Sequence, residues 1–163
     1  MIESKIITPE RAIEFVKSND QIVTGLGCSE GRAFLSVLHQ RADDLKNVHI
    51  SNCLPMATLP YMEPEYKDSF FLDGWFYSPV MRRMHKQGNA SFIPNNLHMA
   101  AMHRLDAIKP NIYVGVCTPP DKHGYVSLST GNTYERRMID AADLVILEMN
   151  KNFPRTFGDV ELH

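Results

Sequence analysis

A chain of 163 residues is long enough for one sizeable hydrophobic core, and nothing in it argues for two. Its 17 Lys and Arg against 19 Asp and Glu leave a net charge of −2, which excludes the basic footprint of a binder of nucleic acid or of an anionic membrane. Three cysteines without a Cys-x-x-Cys pair fit a reducing compartment and neither a disulfide framework nor a zinc site; the opening Met1–Thr8 lacks the pattern of a signal peptide and no apolar run approaches the roughly 20 residues of a membrane span, so a cytoplasmic protein is expected.

Thr8-Pro9-Glu10 starts a helix, with Thr as N-cap, Pro at the first helical position and an acid in the first turn, and Ala12, Ile13 and Val16 form its buried stripe. The run from Gln21 to Gly27 reads as a short buried strand ending in a glycine loop. Ser29 is placed to cap the next helix, whose apolar face is Ala33, Phe34, Val37 and Leu38 until Asp43-Asp44. Val48–Cys53 is a second strand, and prolines 55 and 60 force the chain into a loop after it. Ser69–Tyr77 is β-prone and aromatic. Ser78-Pro79 then caps a basic helix through Gln87 that stops at Gly88, and Ser91–Pro94 is a short strand. Leu97–Leu105 reads as a helix and Ile112–Cys117 as a buried strand. Tyr134, Met138, Ala141 and Ala142 mark a last helix, leading into Leu144–Met149, a run apolar on both faces of the kind found in central parallel strands. Strands alternating with helices predict a three-layer α/β domain on an open, mainly parallel sheet.

Four stretches carry candidate chemistry. Gly25-Leu-Gly-Cys-Ser-Glu30 lies between strand and helix like a dinucleotide fingerprint, but Glu30 stands where the third glycine belongs and sets a negative charge against a pyrophosphate. The plain alternative is a tight turn and a helix whose first turn gains from Glu30. Cys28 beside that helix is either a nucleophile or a small packed thiol. Pro119-Pro120-Asp121-Lys122-His123-Gly124 sets a rigid polar turn in which Gly124 can supply a positive φ. Glu148 ends an apolar strand as a general base or, as we expect, an acid paired with Arg155; Asn150, Asn152 and Arg155 hold the loop that follows. The histidines show no metal-ligand spacing, and no metal site is expected. Met56 and Trp75 line a pocket or form core.

The run Pro119–Tyr125, followed by Glu148-Met149-Asn150 and Pro154-Arg-Thr-Phe-Gly-Asp159, resembles the acetyl-CoA hydrolase and 4-hydroxybutyrate CoA-transferase family of class I CoA-transferases, in its N-terminal half, from about Ile7 to Leu162. The resemblance implies the open fold shared with ribose-5-phosphate isomerase and a substrate-bordering role for Gly25, Gly27, Ser29, Glu30, Pro119, Lys122, His123, Gly124, Asn150 and Arg155. It supports a glycine loop whose open N–H groups face a carboxylate or thioester oxygen; relatives often read Gly-Glu-Pro where this chain has Ser29-Glu30-Gly31. It further implies ping-pong CoA transfer through a glutamyl anhydride and a glutamyl-CoA thioester, with acyl-CoA and a short carboxylate as partners, coenzyme A as a substrate and no tightly bound cofactor. The nucleophilic glutamate belongs to the family's C-terminal half, so residues 1–163 are expected to form one N-terminal domain that is inactive alone. A sugar-phosphate isomerase, with Ser127–Gly131 as phosphate loop, and a non-catalytic ligand-binding or scaffold module stay open. A two-domain ancestor would leave an exposed apolar patch above roughly 300–600 Å², sought around Tyr61-Met62, Phe70-Phe71 and Trp75-Phe76-Tyr77, and homo-oligomers would hide it.

Overall fold

The computed structural model describes residues 5–163. Helix α1 (Pro9–Ala12) begins where Thr8 Oγ1 accepts the Arg11 N–H, and a 3₁₀ turn, Ile13–Phe15, continues it. Strand β1 (Gln21–Thr24) enters the loop before α2 (Arg32–Val37), and β2 (Val48–Asn52) and β3 (Phe70–Gly74) follow. Helix α3 (Pro79–Gln87) carries both predicted signals: Ser78 Oγ accepts the Met81 N–H at 3.2 Å, and Gly88 turns left-handed at φ +78°. Then come β4 (Ala90–Phe92), α4 (Ala100–Ala107), β5 (Ile112–Cys117), β6 (Val126–Ser127), α5 (Glu135–Ala141), β7 (Leu144–Met149) and β8 (Glu161–Leu162).

Six strands form one parallel sheet in the order β4-β3-β2-β1-β5-β7, while β6 and β8 pair antiparallel as a small ribbon. Side-chain alternation along each strand sorts the core into two layers. Ile22, Val48, Ile50, Phe70, Leu72, Ile112 and Val114 meet α1, α2 and α3 on one face. Val23 and Tyr113 meet α4 and α5 on the other. The three-layer α/β architecture is therefore the one the sequence predicts.

Four local expectations are corrected. Ser29 does not cap α2: the chain makes a 3₁₀ turn at Gly27–Ser29, Gly31 takes the N-cap position, and Glu30 lies outside the helix and buried. On α2 itself the buried residues are Phe34 and Leu35, with Leu38 just beyond, whereas Ala33 faces solvent. Strand β7 is not central but an edge, paired with β5 alone among the described residues. Its Leu144 and Ile146 pack on one layer and Val145 and Leu147 on the other, so the doubly apolar pattern reports two covered faces and is silent about hydrogen-bonding edges. Finally, Tyr61, Met62, Phe70 and Trp75 are core, and of the residues proposed for an exposed patch only Phe76 and Tyr77 face solvent. Among the described residues no helix is long and apolar enough to cross a membrane.

Candidate functional site

Strand β1 is flanked by β2 on one side and β5 on the other, so the chain reverses its direction of progress across the sheet between β1 and β5. Loops leaving the carboxyl ends of two such strands diverge and open a crevice, the usual ligand position in open α/β sheets. The loop after β1 carries Gly25, Gly27, Ser29 and Glu30; the segment after β5 carries Pro119, Lys122, His123 and Gly124, and then Ser127–Gly131.

The glycine loop is held by groups distant in sequence. Gly25 N–H donates to Val114 O at 3.0 Å, those of Ser29 and Glu30 close the turn onto Leu26 O and Gly27 O, and Leu26 N–H donates to Glu135 Oε1 at 2.9 Å. The other Glu135 oxygen accepts the N–H groups of Thr133 (2.6 Å) and Tyr134 (2.9 Å). Within this loop the N–H groups of Gly27 and Cys28 have no partner among the described residues; they lie at the loop tip, where Gly27 adopts φ +57°. Cys28 is exposed, its Sγ 3.4 Å from Thr130 Oγ1, and Ser29 is enclosed beside Gly131. The Ser127–Gly131 hydroxyls make a poor phosphate cradle: Ser127 is fully buried against Thr156 and Ser129 is buried too.

Below the loop, Glu30 is 1% exposed; its Oε1 accepts Asn52 Nδ2 at 2.6 Å, and Oε2 has no hydrogen-bond partner. Burial raises its pKa above the ordinary 4.5, against the lowering pull of Asn52 and Arg32, while neighbouring Glu148 adds to the rise. Arg32 Nε stands 3.9 Å from Glu30. The expected Glu148–Arg155 pair does not form. Glu148 Oε1 accepts the Phe34 N–H at 2.7 Å, capping α2 from the end of β7, and burial raises its pKa as well. Arg155 binds Asp121 (3.3 Å), Glu161 (3.1 Å) and Tyr125 O (3.0 Å). A strand-end acid and a later arginine look complementary in sequence, but β7 turns Glu148 toward α2 and the loop carries Arg155 to the β5–β6 turn.

Asp121 is the organiser of that turn: its Oδ1 accepts the N–H groups of His123 and Tyr125. Some loss of hydration works against its charge, but these bonds and Arg155 outweigh it and hold its pKa below the ordinary value. Gly124 adopts φ +90°, while Pro119, Lys122 and His123 are exposed. Asn150 closes its own turn, with Oδ1 accepting the Asn152 N–H and its N–H reaching Cys117 O. The candidate residues thus form two groups: the Gly25–Glu30 loop with Glu135 at the crevice, and a latch of Asp121, Arg155 and Glu161. Ser127, Thr118 and Thr156 join them. Sequence reasoning missed Glu135; an acid opening a helix is its only local sign, because its Leu26 partner is 109 positions away.

The raised pKa of Glu30 yields a signed prediction. Between the ordinary 4.5 and its higher folded value, the folded chain binds more protons than the unfolded one, so stability from this group is complete below the ordinary value and is lost as pH rises through the folded one. Glu30→Gln removes that pH dependence and should therefore be more favourable to stability near pH 7, where the parent carries the buried charge, than near pH 4.5. Urea midpoints at both pH values measure this; an equal effect at both would refute it.

Sheet order and crevice define an open α/β domain that presents a pinned glycine loop at a switch point. The chain belongs to the acetyl-CoA hydrolase/transferase family, whose N-terminal domain matches residues 2–163. It is 31% identical over 160 residues to a probable butyrate:acetyl-CoA coenzyme A-transferase of Syntrophomonas wolfei, covering 96% of this chain and 35% of that one. It is 28% identical to the succinyl-CoA:cyclohexane-1-carboxylate CoA transferase of Geobacter metallireducens, covering 98% and 36%. Among solved structures, RipA from Yersinia pestis superposes with a TM-score of 0.91 at 25% identity, covering 99% of this chain and 40% of that one. A 4-hydroxybutyrate CoA-transferase from Porphyromonas gingivalis, at 17% identity and a TM-score of 0.74 over 95% of this chain and 35% of that one, shares the fold. The chain spans little more than a third of the curated relatives it matches.

Proposed function

We propose that this domain supplies one wall of the acyl-CoA site of an enzyme that moves CoA between an acyl-CoA and a short-chain carboxylate, or hydrolyses acetyl-CoA, and that the nucleophilic glutamate comes from outside residues 1–163. The observation that carries this reading is how the carboxylates next to the glycine loop are used. Glu135 holds three backbone N–H groups, Glu148 caps α2, and Glu30 is sealed beneath the loop. A nucleophile must reach a thioester carbon, and none of the three is free to do so. The loop tip has the complementary equipment, two adjacent unpartnered N–H groups at Gly27 and Cys28, suited to a carboxylate or thioester oxygen that gains negative charge. The latch of Asp121 and Arg155 acts as support for the crevice wall.

The purified chain should exchange no labelled acetate or butyrate into acetyl-CoA. Turnover by the chain alone that Glu30→Gln or Glu148→Gln abolishes would place the catalytic carboxylate within it and overturn the proposal.

A further inference from the structure

A cleft of about 350 Å³ lies away from the crevice, on the sheet face that α4 and α5 cover only in part. Its floor is polar: His49 and Ser51 of β2 and Asp73 of β3. Its walls are Trp75, Ile93 with Pro94 beyond β4, and Ile108 at the end of α4. Arg104 reaches into it from α4 and is 8% exposed. Its guanidinium meets only neutral acceptors: Ser51 Oγ at 3.2 Å, Gln21 Oε1 at 3.0 Å and Ile108 O. Those bonds use three of its five N–H donors and leave one on each terminal nitrogen. No carboxylate lies within ion-pair distance among the described residues; Asp73 acts on the guanidinium from farther off, and its two oxygens accept bonds from His49 Nδ1 (2.8 Å) and Ser91 Oγ (2.8 Å). The chain Ser91–Asp73–His49 is no catalytic triad, since the serine binds the acid and not the imidazole. Burial works against the charge of Arg104 and lowers its pKa, with Asp73 opposing.

We propose that this cleft is a second ligand site, distinct from the acyl-CoA crevice, for a small monocarboxylate with an apolar body. A buried guanidinium lining the cleft, with donors to spare and no counter-ion among the described residues, favours a carboxylate. Asp73 close by disfavours a doubly charged phosphate, and the indole, proline and isoleucine walls take a ring or hydrocarbon. Exposed His103, whose Nδ1 meets Asn95 Oδ1 at 3.0 Å, stands at the mouth.

Trp75 is the single tryptophan and reports occupancy directly. Titration of the chain with benzoate near neutral pH should change its fluorescence saturably, with Kd about 1 mM or tighter, and benzamide should bind at least about tenfold more weakly. His103→Glu, a surface change that leaves the core intact, should weaken benzoate severalfold, and Arg104→Gln should abolish the response. Amide-resolved NMR should place the shifts at Arg104, Ala107 and Ile108. No saturation at tens of millimolar, equal binding of benzamide, indifference to His103→Glu, or shifts confined to Gly27 and Cys28 would each overturn the site. None of these results bears on where the transfer glutamate lies.

Discussion

Replacing Glu135 with Ala should destabilise the protein by about 3–5 kcal/mol, out of a total of roughly 5–15 for a domain of this kind. Its carboxylate is wholly buried and accepts the N–H groups of Leu26, Thr133 and Tyr134, and the substitution leaves all three donors without their charged acceptor. The thermal midpoint should fall by about 10 °C. Two of these donors open α5 and the third belongs to the glycine loop, so loss of the carboxylate also unties the crevice wall. Hydrogen exchange at Leu26 should rise more than at Ile50 in β2. Glu135→Gln keeps one acceptor oxygen and should lose less. A Glu135→Ala protein within 1 kcal/mol of the parent would show that the loop is held by something else.

Gly25→Ala should cost about 3 kcal/mol, at the upper end of overpacking penalties. A Cβ built there lies 2.3 Å from Ser29 O and 2.8 Å from Ser29 C, both backbone atoms of the turn that follows, so a side-chain rotation cannot relieve it. Gly27→Ala is the matched control. It meets nothing within 4 Å and suffers only its left-handed φ of +57°, about 1 kcal/mol. Denaturant unfolding of the two variants ranks them. If Gly27→Ala proved the more damaging, backbone conformation and not close approach would be the reason for the glycines in this loop.

The contrast between these two positions shows what could be read in advance. Gly25 and Gly27 stand out in sequence between a strand and a helix, yet their spacing suggests a phosphate turn equally well. Only the Ser29 backbone folding onto Gly25 reveals close approach as the requirement at the first. Residues whose partners are near in sequence were legible: Thr8 and Ser78 as caps, Gly88 as a helix stop, and the Asp121 turn with its left-handed Gly124. Their physics is contained in a few consecutive residues.

The sequence by itself determined the alternation of strands and helices and the two apolar layers, because hydrophobic period and turn chemistry are local properties of the chain, and its motifs carried the resemblance to the CoA-transferase family. The tertiary structure alone decided that β7 pairs with β5 alone among the described residues, that Glu148 serves α2 while Arg155 serves Asp121, that Glu135 ties the glycine loop, and that Arg104 is buried among neutral acceptors. Each of these depends on strand order or on groups brought together from distant positions. A side chain's residue type states what it can bond to, and the fold states which of those partners comes within reach.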